Sequence, residues 1–379
     1  MKSVFRLARQ LRSVHSSKLV RCLLLTGGAG VAVCALNQIE WPKFGASRVL
    51  FPLLAQCAAK YEPQGTVISD GKNHSLFLTI HLSDKAPVRD CLKVLGKIQH
   101  YVDTISPPDI RDENDEIQFG IGFGPEFMEK IRSNLKYAGA TEPYTYKPRH
   151  GSLGDLPYTG GDIFIHAKCN ELGKLFELAQ SITRDMPKGS IQSFEDVYGW
   201  VYRNGRDLSG FMDGIENPAD LDERSAVAIN QVNGGSYAVT QKWIHRHDVL
   251  ASTSESVKSQ WLGRDLADDS ELKCKASTSH VARMVGSIEQ GAQKRYRIVR
   301  HSQPWGTLSG GSGLFFIGYA ASPKAIDWML DQMTGHGKDG ENDDVMRFSR
   351  CVSGNYWYFP CLEELNRLIG EKATKSGWF

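Results

Sequence analysis

Apolar and polar residues alternate along several short segments in the first half of the chain, with helix-like segments between them. Segment 75–82 places Leu76, Leu78 and Ile80 at every second position, the pattern of a half-buried strand. Segment 88–98 has apolar residues at spacings of three and four, which predicts an amphipathic helix. The same criteria predict strands over 117–123, 162–168 and 197–202 and a helix over 172–182. The predicted order is β-α-β-β-α-β, the ferredoxin-like arrangement.

The second half of the chain repeats this order less cleanly. Strands are predicted over 236–244, 296–299, 314–319 and 355–359. Ser322 and Pro323 predict a helix start, because serine is a good N-cap and proline is tolerated at the first helical position. Its inward face would carry Ile326, Met329, Leu330 and Met333. We expect an α+β fold of two tandem ferredoxin-like domains with antiparallel sheets, covering residues 46–205 and 206–370.

The first 45 residues have a different composition and are kept apart from the fold. No acidic residue occurs between Met1 and Ile39, where basic residues are spread among Ser, Leu and Val, the composition of a mitochondrial transit peptide. An apolar run from Leu23 to Leu36 is shorter than the roughly 20 residues of a spanning helix. We expect mitochondrial import. A membrane anchor at this run, a secretory signal and a disordered basic tail are the alternatives.

Charge and cysteine content narrow the function classes. The chain of 379 residues has 45 Lys and Arg against 43 Asp and Glu, so a nucleic acid partner is not expected. Its eight cysteines include no Cys-x-x-Cys pair and no Cys-x-x-Cys-His motif. This excludes covalent c-type haem attachment and the common zinc knuckles, and scattered thiols in a long chain favour a reducing compartment.

The segment from Gly210 to Pro218 is the most unusual local sequence. Gly210 and Gly214 bracket Asp213, which suits a carboxylate held at a tight bend, although an ordinary turn would show the same residues. The histidines at 245 and 247 are separated by a single residue, but no neighbouring carboxylate or cysteine completes a metal site. We therefore expect a solvated strand end there. Trp200, Trp243, Trp305 and Trp357 fit either the core or a path for electrons.

Five ordered blocks carry a resemblance to a known family. They are GFMDGIENP from Gly210, GGSYAVTQKWIH from Gly234, TSHVARM from Thr278, IVRHSQPWGT from Ile298 and GLFFIGYA from Gly313. The first resembles the Gly-x-x-Asp-Gly signature of dye-decolorizing peroxidases, and together the blocks are similar to the compact bacterial-type members. The resemblance is close in the second half and lies mainly in organisation in the first. It implies haem in the C-terminal domain.

The resemblance also assigns expected roles to individual residues. His280 would be the proximal ligand of the haem iron, with Asp343 as its carboxylate partner or, one residue on, Asp344. Asp213 would relay a proton on bound peroxide, and Arg300 would supply fixed positive charge. Three further residues are expected at the site: Ser302, where some relatives have asparagine, and Asn217 and His301 near the haem.

These expectations add up to a peroxidase that holds haem b, with one iron per chain. Its partners would be hydrogen peroxide and a reducing organic substrate such as a phenol or dye. Exposed sheet edges in such folds often pair, so we expect a homo-oligomer. Two alternatives keep the haem pocket with another function: a haem-binding or trafficking protein, and a haem-modifying enzyme that removes iron or a carboxyl group.

Overall fold

A computed structural model describes residues 61–112, 116–137, 139, 141–285 and 296–370. The predicted targeting segment 1–45, with its apolar run from Leu23 to Leu36, lies outside the described residues, so mitochondrial import stays a prediction. Among the helices of the described part, none is long and apolar enough to cross a membrane.

The first half forms a four-stranded antiparallel sheet with helices on its outer face. Its strands are β1 His74–Leu82, β2 Gln118–Phe123, β5 Ile163–Cys169 and β6 Ile191–Trp200, and β3 Arg149–His150 and β4 Asp155–Leu156 form a separate hairpin. Its helices are α1 Gly65–Ile68, α2 Val88–Leu95, α3 Ile98–Ile105, α4 Pro125–Leu135 and α5 Leu172–Asp185. The sheet order β2-β5-β1-β6 is that of a ferredoxin-like unit.

The second half repeats the arrangement. Its strands are β7 Ser236–His245, β8 Val299–Arg300, β9 Gln303–Thr307, β10 Gly311–Ala320 and β11 Ser349–Phe359. Its helices are α6 Leu221–Ala228, α7 His247–Ser252, α8 Glu255–Leu262, α9 His280–Val285, α10 Pro323–Met333 and α11 Leu362–Ile369, with a 3₁₀ helix at Asp344–Arg347. β11 pairs with β7, β7 with β10, and β10 with both β8 and β9, all antiparallel. The predicted α+β class with ferredoxin-like units is confirmed.

The two sheets join edge to edge and close into a barrel. Tyr358 on β11 pairs with Phe123 on β2, and Gly199 on β6 pairs with Trp305 on β9. Closure leaves few strand edges unpaired, which is one way that sheet proteins avoid edge-to-edge aggregation. The barrel interior is filled by an apolar cluster contributed by both halves: Phe77, Phe164, Val197, Phe315, Ile317, Tyr319, Trp357 and Phe359 are among its members.

Several predicted elements differ in detail from those observed. β1 is buried on both faces rather than one, because Phe77 points into the barrel while Leu76 and Leu78 meet the helices. The single helix predicted over 88–98 is two helices separated at Gly96. The strand predicted over 296–299 is only the two-residue β8, and β9 takes its place in the sheet. The sequence pattern did not predict β9, because it contains Pro304 and proline argues against a strand.

Two further predictions concern the start of α10 and the boundary between the two halves. α10 begins at the predicted Pro323, and the Ser322 hydroxyl accepts a hydrogen bond from the Lys324 amide. The boundary between residues 205 and 206 falls in the connection between β6 and α6. It stays a prediction, because both halves share one barrel.

Candidate active site

A largely apolar cavity lies between the outer face of the second sheet and helices α9 and α10. Its empty volume is about 1550 Å³, part of it open to solvent. The inward face predicted for α10 lines it, and so do alternate residues of β7 and β10. Its apolar walls include Phe211, Met212, Val239, Trp243, Leu262, Val281, Met284, Ile298, Leu314, Phe316, Ile326, Met329, Leu330, Met333 and Phe348. A concave apolar space with a few convergent polar groups is the usual form of a cofactor site.

Asp213 reaches this cavity from a tight loop. Gly210 and Gly214 have φ of 98° and 85°, a backbone region that glycine adopts without the clash a side chain would cause. The Asp213 amide donates to the Gly205 carbonyl, and the Gly214 amide donates to Oδ1 of Asp213 at 2.7 Å. The bracketing glycines therefore do shape the bend that the sequence suggested.

Arg206 holds the same loop from outside. One of its guanidinium nitrogens donates to the Gly210 carbonyl at 2.9 Å, and the group forms a two-pronged ion pair with Asp269 at 2.8 Å. Such a paired guanidinium has a fixed orientation, so it restrains the backbone beside Asp213.

Arg300, on β8, stands opposite Asp213. Its Nη1 lies 3.9 Å from Oδ1 of Asp213. The Asn217 side chain fixes the Arg300 backbone, because its amide nitrogen donates to the Arg300 carbonyl at 2.8 Å and its oxygen accepts from the Arg300 amide at 2.9 Å. Burial raises the pKa of Asp213, and the nearby charge of Asp207 adds to this against the opposing effect of Arg300.

His280 is the first residue of α9 and also lines the cavity. Its Nδ1 lies 2.7 Å from Oδ2 of Asp343, whose side chain is fully buried. The other oxygen of Asp343 accepts a hydrogen bond from the Val345 amide at 2.9 Å. Asp344 bonds instead to the Thr278 hydroxyl and to Arg347. The partner of His280 is therefore Asp343, and the neighbouring acid has a different environment.

Ser302 and His301 lie beside the cavity rather than in its wall. Both line an adjoining polar pocket that shares Asp213 and Arg300 with the apolar cavity. The Ser302 hydroxyl accepts from the Ile317 amide at 3.3 Å, and Nε2 of His301 donates to the Val67 carbonyl at 3.1 Å. Burial lowers the pKa of His301. The structure thus brings five of the seven predicted site residues together at the cavity: Asp213, Arg300 and His280 line its wall, and Asn217 and Asp343 are hydrogen-bonded to Arg300 and His280. Ser302 and His301 line the adjoining pocket instead, and the His301 imidazole is directed to the first half of the chain.

The solvated strand end predicted at His245 is wrong. His245 is only 7% exposed and lines the cavity, with Nδ1 2.8 Å from the Ser349 hydroxyl and Nε2 2.9 Å from Asp207. His247, two residues on, is exposed as expected. The alternation of β7 could have predicted the buried position of His245, because it places His245 on the same face as Trp243.

Comparisons with known proteins show the family to which the chain is similar. The family model described as Dyp-type peroxidase, C-terminal, matches residues 204–364. The dye-decolorizing peroxidase of Mycobacterium tuberculosis is 30% identical over 300 residues, 77% of this chain and 85% of that protein. A DypB variant of Rhodococcus jostii RHA1, solved in complex with haem, has a TM-score of 0.71 and 25% identity, covering 79% of this chain and 96% of its own. A similar protein from Bacteroides thetaiotaomicron, also a dye-decolorizing peroxidase, has a TM-score of 0.72, 25% identity and coverage of 82% and 99%. This chain belongs to the dye-decolorizing peroxidase family.

Proposed function

We propose that this haem peroxidase uses His280 to hold the iron of haem b, and Asp213 with Arg300 to act on hydrogen peroxide. The observation that carries the assignment is the placement of His280, Asp213 and Arg300 in the wall of one apolar cavity. The buried Asp343 supports it, because its carboxylate holds Nδ1 of His280. Organic donors such as phenols or dyes are the reducing substrates.

The residues of the cavity fit a haem group. The carboxylate of Asp343 accepts the proton on Nδ1 of His280, which fixes the tautomer whose Nε2 carries a lone pair for iron. Apolar side chains from α9, α10 and the sheet match the faces of a porphyrin. When bound, the haem iron supplies the two-electron cleavage of peroxide and the one-electron oxidation of donors.

Asp213 moves the proton that peroxide cleavage requires. Its carboxylate accepts a proton from one peroxide oxygen and returns it to the other, which then leaves as water. Burial raises the pKa of Asp213, so the carboxylate is a stronger base than an exposed aspartate. The Gly214 amide, bound to Oδ1, leaves Oδ2 as the oxygen for this transfer.

Arg300 stabilises negative charge beside Asp213. A guanidinium stays protonated at all working pH values, and it donates hydrogen bonds in fixed directions. The two hydrogen bonds from Asn217 set the position of the Arg300 backbone, so Asn217 acts through Arg300. A haem carrier would need neither Asp213 nor Arg300 in this wall, which favours the peroxidase over the trafficking and haem-modifying alternatives.

Three further proposals rest on sequence. The basic segment before Ile39 supports import into mitochondria, and the apolar run from Leu23 to Leu36 supports association with a membrane. The homo-oligomer expected from the sequence is the third proposal, and it would use surfaces other than strand edges, since barrel closure leaves few of these unpaired. Light scattering of the purified chain would test it.

The decisive experiment compares matched variants of the purified chain. His280→Ala should abolish ordinary iron ligation in the visible spectrum, whereas His336→Ala, at an exposed histidine, should leave the spectrum unchanged. Arg300→Leu should bind haem normally but react with peroxide at least about 100-fold more slowly. Arg350→Leu, at an exposed arginine of β11, serves as its control. Unaltered ligation in His280→Ala, or an unaltered peroxide step in Arg300→Leu, would refute the corresponding assignment.

A further inference from the structure

A chain of hydrogen bonds that the proposed mechanism does not use runs along the cavity wall. Nδ1 of His245 lies 2.8 Å from the Ser349 hydroxyl, and its Nε2 lies 3.0 and 2.9 Å from the two carboxylate oxygens of Asp207. Oδ2 of Asp207 also accepts from the Ser209 amide at 3.0 Å and from the Ser209 hydroxyl at 2.5 Å. All four residues line the cavity.

Asp207 belongs to the loop that carries Asp213. The Asp207 amide donates to the Phe211 carbonyl, and the Gly210 amide donates to the Asp207 carbonyl, so the loop is closed on itself before Asp213. The Asp207 side chain connects this loop to β7 through His245. A shift of His245 or Asp207 would therefore move the loop as a unit and displace Asp213 from Arg300.

We propose that His245 and Asp207 are a positioning pair: they anchor the loop of Asp213 to β7, and the negative charge of Asp207 opposes a second negative charge at Asp213. This inference rests on the proposed function of Asp213. The pair acts through Asp213, and neither member is required to contact peroxide.

The charges around the pair support the second part of the proposal. Burial opposes ionisation of Asp207, but the attraction of His245 and the hydrogen bonds from His245 and Ser209 outweigh it and lower the pKa of Asp207. Asp207 therefore stays a carboxylate near Asp213, and its negative charge contributes to the raised pKa of Asp213. Among the described residues, the other ionisable groups that face this pair and Asp213 include Arg300 on β8 and His280 on α9, both toward Asp213. They also include Arg206, which donates to the Gly210 carbonyl of the loop, and His247, whose ring centre is 6.1 Å from that of His245.

The sign of the effect follows from this arrangement. The mechanism needs Asp213 as a base, so the rate of the peroxide step falls as pH decreases through the pKa of Asp213. Asp207→Asn removes a negative charge, which should lower the pKa of Asp213 and move the acid limb of the rate profile to lower pH. His245→Leu should slow the peroxide step about 10- to 100-fold by releasing the loop. His245→Gln, which can still donate to Asp207, should restore most of that loss.

The test measures the peroxide step of the full-length, haem-loaded chain by stopped-flow spectroscopy across pH. The infrared carboxyl band of protonated Asp213, assigned by its loss in Asp213→Asn, gives a second readout that does not depend on turnover. Asp268→Asn is the matched control, because the Asp268 side chain accepts from the Ser270 amide at 2.9 Å as Asp207 does from Ser209, but on the surface.

Each outcome decides the inference. The inference is supported if, in Asp207→Asn, the acid limb of the rate profile and the infrared titration of Asp213 both move to lower pH while Asp268→Asn behaves like the native chain. The inference is overturned if Asp207→Asn leaves both pH profiles unchanged and His245→Gln is as slow as His245→Leu. If Asp213→Asn still loses the peroxide step in that case, the proposed function of Asp213 stands. A normal peroxide step in Asp213→Asn overturns the proposed function of Asp213, and the inference with it.

Discussion

Replacing Asp343 by asparagine changes one atom in the environment of His280. The native carboxylate accepts two hydrogen bonds, from Nδ1 of His280 at 2.7 Å and from the Val345 amide at 2.9 Å. An asparagine amide has one acceptor and one donor end, so it can serve only one of these two donors. If its oxygen stays with Val345, its NH₂ group faces Nδ1 and selects the tautomer with the proton on Nε2, the nitrogen needed for iron.

The magnitude follows from the loss of one buried hydrogen bond. Leaving a buried donor unpaired costs about 1 to 3 kcal/mol. Since each 1.4 kcal/mol is tenfold, haem affinity should fall about 5- to 150-fold. The iron should also become easier to reduce, because His280 loses an anionic partner that makes it a more basic ligand. A higher midpoint potential is therefore expected beside the weaker binding.

Haem titration of the haem-free chain and spectroelectrochemistry of the loaded chain measure the two effects. Asp344→Asn is the control, since Asp344 is also buried but bonds to Thr278 and Arg347. It should leave haem affinity and potential close to those of the native chain. Equal effects of the two substitutions, or no effect of Asp343→Asn on either quantity, would show that the His280–Asp343 hydrogen bond does not tune the ligand.

Three further predictions concern the surroundings of this site. Because burial raises the pKa of Asp213, the native peroxide step should lose rate as pH falls at values above the ordinary aspartate pKa of about 3.9, and Asp213→Asn should lack that limb in stopped-flow profiles. Asn217→Ala breaks two hydrogen bonds to the Arg300 backbone and should lower the free energy of unfolding by about 1 to 3 kcal/mol in urea titrations. Burial lowers the pKa of Lys168 to about 7, so the unfolded chain binds a proton there that the folded chain does not between pH 7 and about 10. Stability should therefore rise with pH across this window, and Lys168→Met should flatten the slope of unfolding free energy against pH.

The local pattern of apolar and polar residues was sufficient to predict strands and helices in which the apolar residues recur at regular spacing. The alternation at 117–123 and the helical spacing at 172–182 recur as β2 and α5 within a few residues. Pattern failed where a long-range contact decides the structure. β9 forms in spite of Pro304 because β10 supplies its partner strand, and the barrel closes through single pairings such as Gly199 with Trp305. Neither contact has a signature in the local sequence.

The candidate site divides along the same line. The glycines around Asp213 indicated a bend from the sequence alone, and the structure shows that bend with positive φ at both. The pairing of His280 with Asp343 came only from the family resemblance, since 63 residues separate them. Asp207 has no distinguishing signal in the local sequence, and His245 was expected at a solvated strand end. Only the fold brings the carboxylate of the loop to the histidine at the end of β7.

The two halves of the chain contribute different residues to the site, and this explains where the sequence resembles its family most. Every described residue that lines the apolar cavity lies at or beyond Asp207, within the span that the C-terminal family model matches. The first half instead lines the polar pocket that meets the cavity at Asp213 and Arg300, through residues such as Lys168 and Trp200. The residues that would hold haem therefore belong to the second half. The residues that line the approach to Asp213 and Arg300 come from both halves. Substitutions in the first half of this chain should accordingly alter access to that pair before they alter haem binding.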